Sequence, residues 1–140
     1  MNCPYLFVYG TLKSDAMNAN AQNFHQHAHL LGHACWQGRL YLVSNYPGAV
    51  PSAIKTEYVL GEVWQLHRPE QAFSFLDEYE ECAPQSPLPH EYERVLAPVQ
   101  LGGQTLTAWI YLYRLETAGL RQILSGEFTN DNQQFIRRAL

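Results

Sequence analysis

Hydrophobic and polar positions divide the chain into short apolar runs separated by turn-forming residues. "YLFVYG" (5–10) is apolar at successive positions and ends at Gly10, the pattern of a buried strand running into a tight turn. "SDAMNANAQNF" (14–24) places helix formers behind Ser14 or Asp15, either of which can cap a modest helix or close an ordered loop. "ACWQGRLYLV" (34–43) reads as a strand, and "SNYPGAVPS" (44–52) is dense in turn residues. "EYVLGEVWQL" (57–66) is a further strand, in which Gly61 marks a bulge or a close approach of backbone. Pro69 suits the first turn of a helix, and "PEQAFSFLDEYEE" supplies one that runs until Pro84 stops it. After a Pro-rich loop through Pro89, "YERVLAPVQL" and "LTAWIYLYRL" form a hairpin about "LGGQT". "ETAGLRQILSGEF" and "NDNQQFIRRAL" are expected as short terminal helices.

Strands outnumber helices, and most are apolar on both faces. The predicted class is α+β: a small mixed sheet curled into a β-barrel, with flanking helices packed outside. At 140 residues, with no internal repeat or compositional break, residues 1–140 read as one domain able to bury a core without metals or disulfides. The 46% hydrophobic and 13% aromatic content argues against disorder.

Charge narrows the class. A formal charge of −4 supplies no attraction for nucleic acid. No apolar run approaches the ~20 residues of a membrane-spanning helix, and "MNCPYLFVYG" lacks the basic stretch of a signal peptide. Cys3, Cys35 and Cys82 are odd in number, far apart and outside any C-x-x-C, which suits reduced thiols and a cytoplasmic location.

Four carboxylates crowd the segment 77–81: Asp77, Glu78, Glu80 and Glu81. On a helical wheel at about 100° per residue, Phe75, Tyr79, Ala72, Leu76 and Phe73 share one continuous arc. Asp77, Glu78 and Glu81 fall on the opposite, solvated arc. Glu80 falls inside the apolar one, between Leu76 and Phe73. A carboxylate facing a core must be paired, hydrogen-bonded or protonated, and desolvation raises its pKa toward the range useful for proton transfer. Two plainer outcomes are compatible with the same pattern: the helix frays before Cys82 and frees Glu80 into water, or Arg94 pairs with it.

A second clue is "VYGTLK" (8–13). A buried strand ending in Gly-Thr can present successive N–H groups as a nest for an anion, or it can simply turn. "YGTL" after an N-terminal strand, with "LDEYE" downstream, resembles the γ-glutamyl cyclotransferase-like superfamily, and most of all its small γ-glutamylamine cyclotransferase branch. "GRLYLVSNYPGAV", "LGEVWQL", "YERV" and "AWIYLY" continue the likeness in family order, to about Arg114. Each motif is short, and the ordered set is what is specific. The resemblance implies a small β-barrel with flanking helices, Glu80 as the catalytic residue, Tyr9, Gly10, Thr11 and Leu12 as the substrate loop, and Tyr111 as a residue lining the pocket.

The implied reaction is attack by the free α-amine of an L-γ-glutamyl compound on its own γ-carbonyl, giving 5-oxoproline and a free amine. Such chemistry needs orientation, a proton shuttle and an anion anchor, and neither a cofactor nor a metal. The expected partner is a small γ-glutamyl molecule, with no nucleic acid and no membrane; oligomeric state is left open. A non-catalytic module holding a small acid on the same fold is the competing class.

Four further groups carry weaker signals. Tyr92 and Arg94 share a strand face and can brace the helix through Asp77 or Glu80, or Arg94 is an ordinary surface arginine. His25, His27, His29 and His33 crowd "FHQHAHLLGH", with His25 and His29 as a helical pair, His27 directed elsewhere and His33 in the next strand, so no metal set is expected. Cys82 has no histidine in a recognisable arrangement and suits a structural thiol, and "WIYLY" suits barrel core.

Overall fold

The structure, a computed structural model, describes residues 3–129. Seven strands and two helices follow one another as β1 (Tyr5–Val8), α1 (Ala19–Gln26), β2 (Ala28–Leu42), β3 (Pro47–Pro51), β4 (Tyr58–Leu66), α2 (Pro69–Tyr79), β5 (Tyr92–Leu101), β6 (Gln104–Tyr113) and β7 (Arg121–Gln122). Strands β2, β4, β1, β6 and β5 pair in that order, and β5 returns to β2 to close a barrel. The closing contact sets Ala34 and Cys35 of β2 against Leu101 and Gln100 of β5. All neighbours are antiparallel except β1 and β6, so the barrel is mixed, as expected.

The length of β2 makes this closure possible. Its first part runs along β4 and its last part along β3 and β7, with a register shift between Leu30 and Gly32 that bends the strand. Two apolar layers result. Phe7, Trp36, Val63, Val99 and Ile110 fill the barrel, while Leu6, Val8, Phe24, Trp64, Phe73 and Leu76 pack between barrel and helices. Strand β1 reads as apolar throughout because Phe7 points inward and Leu6 and Val8 point under the helices.

Gly61 is the place of close approach. A Cβ there would stand 2.3 Å from the Val8 carbonyl oxygen, so glycine lets β4 lie against the end of β1. The β5–β6 turn is as expected, with Leu101 opposite Gln104 and Gly102 at φ 61°.

Other expectations need correction. Helix α1 is capped by Asn18, whose side chain accepts from the Ala21 N–H, and not by Ser14 or Asp15. Ser14 is instead drawn to Glu62. The turn-rich segment contains β3, an edge strand with proline at each end, where the missing N–H groups cost least. "ETAGLRQILSGEF" is not a helix. Arg121 and Gln122 pair with β2, and Ile123 donates to the Leu40 carbonyl and packs with Phe128 on the barrel interior, so tertiary pairing overrides helix propensity. Gly119 (φ 86°) and Gly126 (φ 75°) hold backbone that a helix excludes. "NDNQQFIRRAL" lies outside the described residues. His25 and His29 are not a helical pair, because α1 ends at Gln26 and His29 already belongs to β2, together with His33.

Candidate functional site

A cavity of about 330 Å³ opens where the end of β1, the C-terminus of α2, the turn before β3 and the start of β5 converge. Tyr9, Gly10, Thr11, Leu12, Glu80 and Tyr111 all line it. The residues singled out from sequence are therefore brought together in one place.

Glu80 reaches the cavity because of how α2 ends. Its N–H still bonds to Leu76 O at 2.9 Å, so the helical wheel remains valid up to this residue. Glu81 then adopts φ 57° and Cys82 N bonds back to Asp77 O, turning the chain away. Helix α2 is thus shorter than expected, with Glu80 as its C-cap. The fraying outcome is not what occurs, and neither is pairing with Arg94, which binds Asp77. Burial first, and then the negative charges of Glu91 and Asp77, raise the Glu80 carboxyl from its ordinary 4.5 to about 8. It lies near neutrality, able both to accept and to release a proton.

The loop after β1 is braced from several sides. A Cβ on Gly10 would meet the Pro47 ring at 2.7 Å, so this position admits glycine alone without rearrangement. Its three carbonyls are occupied: Gly10 O accepts from Lys13 N, Thr11 O from Asn18 Nδ2, and Leu12 O from His25. The last contact puts the imidazole proton on Nε2 of His25, whose ring stacks on Trp64 at 4.6 Å. The Thr11 hydroxyl pairs with Tyr79 at 2.6 Å. Among the described residues the amides of Thr11 and Leu12 have no backbone acceptor, which leaves them as N–H groups available to a ligand.

Behind the loop, buried Glu62 accepts from Ser14 N (2.8 Å), Ser14 Oγ (2.5 Å) and Trp64 Nε1 (3.0 Å). Buried Lys13 donates to Phe128 O at 2.6 Å. These two residues escaped the sequence reading, because a Glu within a strand and a Lys after a turn carry no sign of burial.

The tyrosines divide by role. Tyr9 is buried, and its hydroxyl donates to Tyr111 O (2.6 Å) and accepts from Ala49 N (3.3 Å), so it serves the fold while the ring walls the cavity. Tyr111 donates to Asp77 Oδ1 at 2.6 Å. Burial, helped by nearby carboxylates, holds both phenols well above their usual pKa, so they remain protonated donors. Tyr92 does not reach the helix; its hydroxyl donates to Pro47 O.

Asp77 is the main correction. The wheel assigned it to the solvated arc, at about 40° from Phe73 and so on the border of the apolar stripe. In the structure it holds Arg94 through both oxygens, at 2.9 and 3.2 Å, besides accepting from Tyr111. Arg94 and Tyr111 are cross-strand partners on β5 and β6, which is why both reach one carboxylate. The guanidinium lies 3.8 Å from the Phe73 ring centroid and 4.3 Å from that of Trp109. Arg94 is therefore a brace and not a free surface arginine.

Cys82 is not activated as a thiolate. Burial and the charges of Asp77 and Glu80 push its thiol up to about 12. Among the described residues no group of three or more His, Cys, Asp or Glu side chains is placed to hold a metal ion.

The family model described as "Gamma-glutamyl cyclotransferase, AIG2-like" matches residues 6–130. The chain belongs to this family. A curated mouse protein, gamma-glutamylaminecyclotransferase, is 29% identical over 107 residues, covering 69% of this chain and 64% of its own length, so the match spans under two thirds of that relative. A mouse AIG2-like crystal structure superimposes with a TM-score of 0.65 at 28% identity, over 86% of this chain and 85% of that one. The solution structure of ytfP from Escherichia coli gives 0.59 at 31% identity, over 88% and 94%. An uncharacterised Pyrococcus horikoshii protein shares the fold, with 0.67 at 19% identity over 99% and 100%. The barrel with flanking helices is thus the fold of this family. No helix among the described residues is long and apolar enough to cross a membrane.

Proposed function

We propose that the protein is a γ-glutamyl cyclotransferase that releases 5-oxoproline from a small L-γ-glutamyl amide or amine, with Glu80 as the proton shuttle. The observation that carries this reading is the Glu80 carboxyl, raised to about 8 and standing in the same cavity as the braced Gly10–Leu12 loop. Membership of the family and the name of the mouse relative support it.

In this reading the α-carboxylate of the substrate rests on the N–H groups of the loop, and the α-ammonium faces Glu80. Ionised Glu80 takes a proton from the ammonium, and the freed amine attacks the γ-carbonyl carbon, forming the ring C–N bond. The tetrahedral oxyanion is held by N–H and O–H donors of the cavity wall. Protonated Glu80 then gives its proton to the departing nitrogen as the original γ-amide C–N bond breaks. The carboxylate so regenerated takes the second proton from the ring nitrogen, leaving the neutral lactam, and passes it to the released amine, which departs as an ammonium. Two protons cross Glu80 in turn and the nucleophile belongs to the substrate, so the step balances without a cofactor.

The test is release of 5-oxoproline from a panel of γ-glutamyl amides by wild type and Glu80→Gln. The expected result is turnover in wild type and a loss of at least about a thousandfold in the folded variant, since Gln cannot carry the proton. Equal activity in the two would remove Glu80 from the mechanism. A wild type that binds such compounds and converts none would make the domain a small-acid binding module.

A further inference from the structure

We propose that Glu91, held in place by Tyr46, selects γ-glutamyl compounds whose released amine carries a second, positively charged nitrogen and disfavours those that carry a carboxylate there. This rests on the cyclotransferase reading above and adds the substrate class. Among the described residues the cavity is lined by Glu80, Glu81 and Glu91 and by no Lys, Arg or His. The salt bridges among the described residues join Arg39 to Glu57, Arg94 to Asp77 and Arg114 to Glu93, and none neutralises Glu91.

Glu91 is also fixed. Its Oε2 accepts from the Tyr46 hydroxyl at 2.5 Å, its carbonyl accepts from Arg114 N at 2.8 Å, and the Tyr46 ring packs beside Tyr92. Burial and Glu91 itself raise the Tyr46 phenol well above its usual pKa, so it stays a donor. Among the described residues no hydrogen bond engages Oε1, which is open to a ligand. Among the charges that act on Glu80, that of Glu91 is the larger, so the two carboxylates share one electrostatic field.

A γ-glutamyl end contributes one ammonium and one carboxylate and is neutral overall. With Glu80 engaged by the ammonium, the remaining wall charge is negative, and the charge at the far end of the substrate decides its sign of interaction. A fixed carboxylate acts on a far-end charge in both directions, as attraction of a cation and rejection of an anion.

Three γ-glutamyl amides of equal reach test this: one of 1,4-diaminobutane (cationic), one of n-butylamine (neutral) and one of 4-aminobutanoate (anionic). Wild type should rank kcat/KM as cationic, neutral, anionic, with roughly tenfold between the extremes or more, carried in KM and shrinking with added salt. Glu91→Gln should bring all three to within about threefold, and Tyr46→Phe should keep the order with a reduced spread. A flat or reversed ranking in wild type, or an unchanged one in folded Glu91→Gln, overturns the proposal. Calorimetric titration of the three compounds into Glu80→Gln reads the same ranking without turnover. If no 5-oxoproline is released but the ranking holds in binding, the cyclotransferase reading falls and the charge selection stands. If the folded variant binds none of the three, the charge selection falls too.

Discussion

Replacing Glu80 by Gln should make the protein more stable at neutral and alkaline pH, and the size of the gain follows from its environment. The folded carboxyl titrates at about 8 against an ordinary value of 4.5. Below pH 4.5 both folded and unfolded chains hold the proton, and the group favours neither. Between 4.5 and 8 the unfolded chain releases it while the folded chain keeps it, so each pH unit costs the fold about 1.4 kcal/mol. Above 8 both are ionised and the penalty is constant. At pH 7 the upper limit is roughly 3.4 kcal/mol, from about 2.5 pH units. Solvent entering the open cavity reduces this to on the order of 1–2 kcal/mol.

Gln fills nearly the same volume and never ionises, so it escapes the penalty. Urea denaturation followed by tryptophan fluorescence at pH 5, 7 and 8.5 measures the difference between the two proteins, in which every other titrating group cancels. The advantage of Glu80→Gln should be small at pH 5, grow through pH 7 and level off above 8. A variant less stable than wild type at pH 8.5, or a difference independent of pH, would refute the claim that burial raises this carboxyl.

Four further outcomes are expected. Wild-type kcat/KM should rise with pH along a limb near 8, because Glu80 must be ionised to accept the ammonium proton; Asp77→Asn should move that limb down by removing one of the charges that raise Glu80. The same variant should lose about 1–3 kcal/mol by chemical denaturation, since it strips the half-buried Arg94 of its ion-pair partner. Gly10→Ala should cost several-fold or more in turnover while retaining a cooperative unfolding transition, because its Cβ would press on Pro47 and displace the loop. His25→Ala should weaken turnover through Leu12 while His29→Ala does not, and prolonged chelation should spare activity in both.

How much of this was legible in the sequence depended on whether a residue's fate was set locally. The apolar runs of β1, β4, β5 and β6 gave the strands, and Pro69 gave the start of α2, because period and turn chemistry act over a few residues. The segment 116–128 has helical composition and became an edge pairing, since β2 had unpaired backbone to offer it. Glu80 could be found because a wheel needs only the residues beside it. The bracing carboxylate Glu62 could not, because Ser14, which gives it two of its hydrogen bonds, comes from the loop after β1, while only Trp64 shares its strand. Glu91 escaped for the same reason: its partner Tyr46 lies 45 residues away.

Asp77 and Glu80 show why the pattern of carboxylates near the end of α2 separates structure from chemistry. They stand one turn apart on the same helix, and the barrel treats them in opposite ways. Asp77 meets Arg94 and the Tyr111 hydroxyl, donors presented side by side by β5 and β6, and both of its oxygens are engaged by them. Among the described residues Glu80 has no salt-bridge partner, and its pKa is pressed upward by burial and by its acidic neighbours. The ion pair at Asp77 fastens the last turn of α2 to the barrel, and so fixes the place at which Glu80 enters the cavity. The two neighbouring carboxylates thus differ in use: Asp77 ties the helix to the barrel, and Glu80 is the one standing in the cavity for the proton transfer proposed above. In Glu80→Gln the native Glu81, one position along, should not restore turnover, because at φ 57° it lies past the helical C-cap and on the exposed rim. A Glu80→Gln protein that keeps wild-type activity through Glu81 would show that any carboxylate near the cavity suffices, and that the fastening by Asp77 is irrelevant to catalysis.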